Sequence, residues 1–94
     1  MSTWKTPQLK SLSQAIALLD NEKDVTNFLR DLCTLEELTE ISHRWEAVKM
    51  ISNKKTYRDI ATKTGMSTAT ITRIARWLKH GEGGYKKTLE KLAK

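Results

Sequence analysis

Cysteine, proline and glycine are all scarce in this 94-residue chain: it holds one cysteine, one proline and four glycines. With Cys33 alone, no intrachain disulfide can form and nothing calls for an oxidising compartment. Cys33 also stands at no recognised ligand spacing from His43 or His80, so no metal site is expected, and each histidine reads as a structural residue on a helix face or end. Few glycines and prolines, no sustained apolar–polar alternation, no repeat and no low-complexity tract argue against a β fold or a disordered tail. No apolar run is long enough to span a bilayer. The opening Met1-Ser2-Thr3-Trp4-Lys5 lacks the apolar core of a secretory signal, so a cytoplasmic protein is expected. Glycine-rich phosphate loops, nucleophile elbows and zinc signatures are missing as well. Glu36, Glu37 and Glu40 stand in the first turns of a helix, where acids are stabilising without any catalytic role, so an enzyme is not expected.

Basic charge is abundant by contrast, and it is unevenly placed. The net charge is +6; residues 1–52 carry 6 Lys+Arg and 8 Asp+Glu, whereas residues 53–94 carry 11 and 3, a net +8. Such asymmetry is the footprint of a surface that meets a polyanion. A membrane surface fits less well, because no segment joins a basic face to a strongly aromatic apolar one.

The apolar spacing is helical from end to end. Residues 1–8 are expected to form an arm in which Pro7 opens the first helix and Trp4 either packs on a partner or hangs free. Leu9, Leu12, Ile16 and Leu19 make one stripe, Asp20-Asn21 breaks it, and Val25, Phe28, Leu29 and Leu32 make a second. Thr34-Leu35-Glu36-Glu37 is a capping box that starts the longest helix, running to about Ser52 with Leu35, Leu38, Ile41, Trp45, Val48 and Ile51 inward. After a polar link, Thr56 caps a short helix with Ile60 and Ala61 inward and Gly65 closing it. Met66 plugs the corner, and Ser67 caps a second helix with Ile71, Ile74, Ala75 and Leu78 on one face. Gly81 ends that helix, Gly83-Gly84 extends the break, and Tyr85, Leu89 and Leu92 mark a last helix with Lys86, Lys87, Lys91 and Lys94 outside.

The expected fold is therefore all-α, about six short helices in a single domain spanning residues 1–94. Residues 1–52 would be dimerisation helices, 53–80 a helix-turn-helix, and 81–94 a linker and C-terminal helix. A chain this short buries a modest core, and its wide stripes exceed what one copy covers, so a homodimer with interleaved N-terminal helices is expected. Such a dimer would set two reading helices about 34 Å apart, one DNA turn.

The outward face of the second helix of the pair carries Thr68, Ala69, Thr70, Thr72, Arg73 and Arg76. Small residues at the start allow close approach to a major groove, methyl groups suit thymine, and the arginines reach bases or phosphates. Trp45 and Trp77 fall on apolar stripes and read as core rather than as base-stacking platforms, and Cys33 reads as a small buried filler.

Thr56-Tyr57-Arg58-Asp59-Ile60-Ala61 and Gly65-Met66-Ser67-Thr68-Ala69-Thr70-Ile71-Thr72-Arg73 resemble the helix-turn-helix of the Trp repressor family. The run Ala69-Thr70-Ile71-Thr72-Arg73 is the most specific piece. Asp31-Leu32-Cys33-Thr34-Leu35-Glu36-Glu37, Arg44-Trp45-Glu46-Ala47, Leu78-Lys79-His80-Gly81 and Gly84-Tyr85 resemble its YerC/YecD branch, so the likeness spans roughly residues 25–90. The resemblance implies an intertwined helical dimer with two DNA-reading heads. It implies that Arg58 approaches a base or phosphate, and that Thr68, Ala69, Thr70 and Thr72 face base edges, some through water. Lys54, Lys55, Arg73 and Arg76 add phosphate contacts on electrostatic grounds, and Thr56 and Ser67 complete the DNA-facing set.

The family's tryptophan pocket transfers poorly. Two arginines sandwich the ligand indole there, and a serine helps to hold its amino group. Arg73 matches one arginine, His43 stands in place of the other, and Trp77 stands at the serine position. Trp77 is expected to fill part of the space between the long helix and the reading head, so no tryptophan co-repressor and no other cofactor is expected. Three readings follow: a sequence-specific DNA-binding transcriptional regulator acting as a repressor on a pseudo-palindromic site, a sequence-tolerant or architectural DNA binder, or a protein–protein adaptor that has lost DNA contact.

Overall fold

The computed structural model describes residues 3–93. The expected places of Met1 and Ser2 in the arm, and of Lys94 outside the last helix, lie outside the described residues. Among the described residues there are six helices and no strand: α1 (Pro7–Leu18), α2 (Glu22–Leu32), α3 (Leu35–Ser52), α4 (Tyr57–Thr64), α5 (Thr68–His80) and α6 (Gly84–Leu92).

Side-chain oxygens set most of the helix starts, because the first amides of a helix have no partner within it. Thr6, Asn21, Thr56 and Ser67 accept from the amides of Leu9, Asp24, Asp59 and Thr70 at 3.1, 2.9, 3.0 and 3.2 Å. The capping box of α3 is reciprocal: Glu37 N donates to Thr34 Oγ1 at 3.1 Å, and Thr34 N donates to Glu37 Oε1 at 2.8 Å.

The helix ends use three different devices. Gly65 closes α4 in the left-handed region at φ +75°, as expected. Gly81 closes α5 at φ −82°, so a positive φ is not its reason. A Cβ there would sit 2.4 Å from the Trp77 carbonyl oxygen, and this close approach is what excludes other residues. α3 ends in a Schellman turn, with Lys55 N donating to Met50 O and Lys54 N to Ile51 O, both at 2.9 Å. Lys54 occupies the position usually held by glycine, at φ +60°, where residues 53–55 had read only as a polar link.

The chain divides into two compact units, Met1–Leu38 and Thr39–Lys94. In the first, α1 and α2 bury no residue at all. Their stripes are half-covered at best: Leu9, Leu12 and Leu19 are half-buried while Ile16 and Leu32 are exposed, Leu18 off the stripe is 84% exposed, and Cys33 at the end of α2 is half-buried rather than sealed as a filler. Trp4 is exposed, with the Lys5 ammonium 5.4 Å from its ring centroid.

The second unit holds the core. Ala47 and Val48 of α3, Ile60 of α4, and Ile71 and Ile74 of α5 are fully buried, with Trp45, Met50, Ile51, Ala61, Met66, Leu78, Tyr85 and Leu89 packed around them. Four fully buried branched side chains stabilise this unit by about 1.5–3 kcal/mol each. Trp77 departs from expectation: it is 47% exposed rather than core. Successive helix residues turn by about 100°, so with Ile71, Ile74, Ala75 and Leu78 facing inward Trp77 lies a quarter-turn off that face.

Two opposite backbone substitutions follow. Lys54→Gly should raise and Gly65→Ala lower stability by about 1 kcal/mol each, read from urea unfolding at fixed protein concentration. Gly81→Ala should cost more than Gly65→Ala, because no atom lies within 4 Å of a Cβ at Gly65 whereas at Gly81 the backbone itself must move.

Candidate nucleic-acid interface

The α4–α5 pair is held at its corner by Thr64, a buried hydroxyl that the spacing of apolar residues did not single out. Its Oγ1 donates to the Ile60 carbonyl at 2.7 Å and accepts from the Met66 amide at 3.2 Å. One side chain thus joins the last turn of α4 to the first residue beyond Gly65. The only hint in sequence is a threonine directly before the closing glycine.

α5 projects from this corner with its inner face committed to the core and its first turns open. Thr68 and Ala69 are exposed, and the Thr68 hydroxyl has no partner among the described residues. Thr72 Oγ1 donates to the Thr68 carbonyl at 2.9 Å, which leaves that hydroxyl as an acceptor beside its own methyl group. Adenine N6 and cytosine N4 are the donors such an acceptor meets in a major groove.

Ser67, Thr70 and Arg73 form a hydrogen-bonded row along α5. Ser67 Oγ and Thr70 Oγ1 are 3.0 Å apart, and Arg73 Nη2 donates to Thr70 Oγ1 at 3.3 Å. Thr70 is half-buried, whereas Lys54, Lys55, Thr56, Arg58, Ser67, Thr68, Ala69, Thr72, Arg73 and Arg76 are exposed. Thr56 and Ser67 each spend a hydroxyl lone pair on a helix cap. Lys54 and Lys55 end the α3 turn that leads into α4, and Arg58 lies in the first turn of α4.

Ion pairs sort the basic residues into two groups. Glu46 of α3 takes up Lys49 at 3.3 Å and Lys63 of α4 at 3.8 Å, and Glu40 takes up Arg44 at 2.7 Å. Lys54, Lys55, Arg58, Arg73 and Arg76 have no acidic partner among the described residues. Lys10, Lys23, Arg30, Lys79, Lys87 and Lys91 are likewise without an acidic partner, so pairing withdraws Arg44, Lys49 and Lys63 without singling out the α4–α5 cations. Exposed pairs of this kind stabilise a fold by less than about 1 kcal/mol. Glu46 had not been read from sequence as part of this division; its partner Lys63 lies on another helix and no spacing connects them.

The three positions that correspond to a tryptophan pocket do not share one cleft. His43 is half-buried on α3, and Arg73 is turned towards Thr70. Trp77 lines a cleft with Trp45, His80, Gly81, Glu82, Gly84, Tyr85 and Thr88, and neither His43 nor Arg73 is in its wall.

Known proteins agree with this architecture. The family model described as Trp repressor protein matches residues 7–93. The uncharacterised protein YerC of Bacillus subtilis (strain 168) is 35% identical over 85 residues, covering 90% of this chain and 82% of that protein. A crystal structure of a TrpR-like protein from Eubacterium eligens ATCC 27750 superposes with a TM-score of 0.87 at 43% identity, covering 95% of this chain and 92% of that one. A candidate Trp repressor from Staphylococcus aureus gives 0.85 at 36% identity, covering 95% and 89%.

The Thr64 corner makes a direct prediction. Thr64→Val keeps the volume but removes both hydrogen bonds, and should destabilise the fold by about 1–3 kcal/mol in urea unfolding. Thr62→Val, whose exposed hydroxyl donates only to the Arg58 carbonyl, should change stability by less.

Proposed function

This chain belongs to the Trp repressor family, a family of helix-turn-helix DNA-binding regulators, and on that premise we propose that it is a sequence-specific transcriptional repressor acting as a homodimer on a pseudo-palindromic site. The observation that carries this reading is the set of five exposed, unpaired basic side chains, Lys54, Lys55, Arg58, Arg73 and Arg76, around an α5 whose first turn offers Thr68 and Ala69. Phosphate contacts from the cations fix position on the duplex, and the small residues of α5 read base edges. Dimerisation is supported by the open apolar residues Ile16, Leu18, Leu32 and Leu35, which a second copy would cover. A cytoplasmic site of action fits this role; no helix among the described residues is long and apolar enough to cross a membrane.

Free tryptophan is not part of this mechanism. Trp77 replaces the hydroxyl that would hold the ligand's amino group, and His43 replaces an arginine that would flank the indole. Titration calorimetry with tryptophan should therefore give no binding heat.

The decisive experiment is selection of bound sequences from random duplex DNA at physiological salt. An enriched palindrome with half-sites about one turn, roughly 34 Å, apart is expected. No enrichment, with binding that vanishes as salt rises, would replace this reading with a sequence-tolerant binder. On the selected site, Arg58→Ala should relax discrimination by about 1–3 kcal/mol. Lys54→Ala keeps a left-handed residue at that position, so its effect is one of charge: all sequences should weaken alike, and the salt slope should fall by about one phosphate contact.

A further inference from the structure

The cleft at the far end of α5 is the part of the second unit that DNA reading does not use. It has a volume of about 700 Å³, within the range of small-ligand sites. Its walls are aromatic. Trp45 and Tyr85 pack with ring centroids 6.5 Å apart and planes inclined at 37°, and the half-exposed Trp77 lines the same cleft. Gly81 and Gly84 line it without side chains of their own, which keeps it open.

Its electrostatics favour a cation. The cleft borders the C-terminal end of α5, where the helix dipole is negative and the Trp77 carbonyl is already taken by the Gly81 amide at 2.8 Å. That end already draws an ammonium: Lys86 Nζ donates to the Lys79 carbonyl at 3.2 Å. Glu82, one of only three acids in residues 53–94, lies in the wall and makes no ion pair or hydrogen bond among the described residues. An unpaired carboxylate beside three aromatic faces, within a half of net charge +8, is the opposite of what the DNA-facing residues present.

The polar groups that could orient a ligand are few. Thr88 has already committed its hydroxyl proton to the Gly84 carbonyl at 2.8 Å, and His80 and Glu82 are the remaining polar side chains of the wall. A primary ammonium or a guanidinium needs several acceptors, whereas a quaternary ammonium needs none and is held by aromatic faces and one counter-charge. We propose that this cleft is a binding site for a small quaternary ammonium compound of the choline or betaine type, held by Trp45, Trp77 and Tyr85 with Glu82 as counter-ion.

The test uses the full-length protein, with choline chloride as the probe and potassium chloride at equal ionic strength as the control. Binding is followed by the indole N–H signals of the three tryptophans in nitrogen-15 NMR. Saturable movement of the Trp45 and Trp77 signals, with Trp4 still, is expected. Choline should bind roughly ten-fold more tightly than its neutral isostere 3,3-dimethylbutanol. Glu82→Gln, an exposed loop substitution that leaves the core intact, should remove most of that preference, and Trp77→Leu should weaken choline itself. Equal affinity for choline and the isostere would overturn the proposal in favour of a merely apolar cleft. No saturable shift, or an unchanged choline affinity in both variants, would also overturn it. These outcomes do not depend on whether the protein selects a DNA sequence.

Discussion

Ile60 of α4 meeting Ile71 and Ile74 of α5 over Ala47 and Val48 of α3 is the contact on which the second unit depends. All five are fully buried, so they form the one dry centre that an eight-residue α4 and a thirteen-residue α5 could not supply alone. The exposed face of α5 follows from that commitment. Once Ile71 and Ile74 point inward, 3.6-residue periodicity turns Thr68, Thr72, Arg73 and Arg76 outward. Thr64 and Gly65 then fix the corner, one by bridging the two backbones and the other by adopting a left-handed conformation without strain.

Charge is distributed around this core with a division of labour. Glu46 neutralises Lys49 and Lys63 where α3 meets α4, while the cations that border the exposed turns of α4 and α5 stay unpaired. Lys54 shows the conflict between folding and binding in one residue. A glycine would relieve its backbone at φ +60°, but only a side chain can present an ammonium from the end of α3. Such local strain is tolerated when the surrounding hydrogen bonds, here the Schellman pair at Lys54 and Lys55, hold it in place.

α5 therefore has two chemically unlike ends. Its start is capped by Ser67 and carries exposed basic side chains nearby; its finish is bounded by aromatic rings, the negative end of the helix dipole and Glu82. A single rigid helix carrying both means that occupancy at one end can be sensed at the other only through the packing of Ile71, Ile74 and Leu78 between them. The first unit contributes differently: with no buried residue in α1 or α2, its stripes are surfaces waiting for a partner rather than a core.

The helices, most of their caps and the inward faces of α4 and α5 were legible in the sequence because they depend on neighbours within four residues, whereas Leu35 and Ile41 on the expected inward stripe of α3 are exposed. The capping box at Thr34 and Glu37, the caps at Thr56 and Ser67, and the left-handed Gly65 are all local chemistry, and the basic half needs only counting. The tertiary structure decided what depends on groups distant in the chain or on a rotation of a quarter-turn. It placed Trp77 with Trp45 and Tyr85 in an open cleft instead of in the core, because Ile71, Ile74, Ala75 and Leu78 had already filled the inward face of α5. It paired Glu46 with Lys63 across two helices, and it left Glu82 unpaired. Gly81 is a local exception: its clash is with a carbonyl only four residues back, but a glycine after a helix reads as a positive-φ cap until its backbone angle is known. Periodicity reports which way a residue points on its own helix; only packing reports what stands opposite.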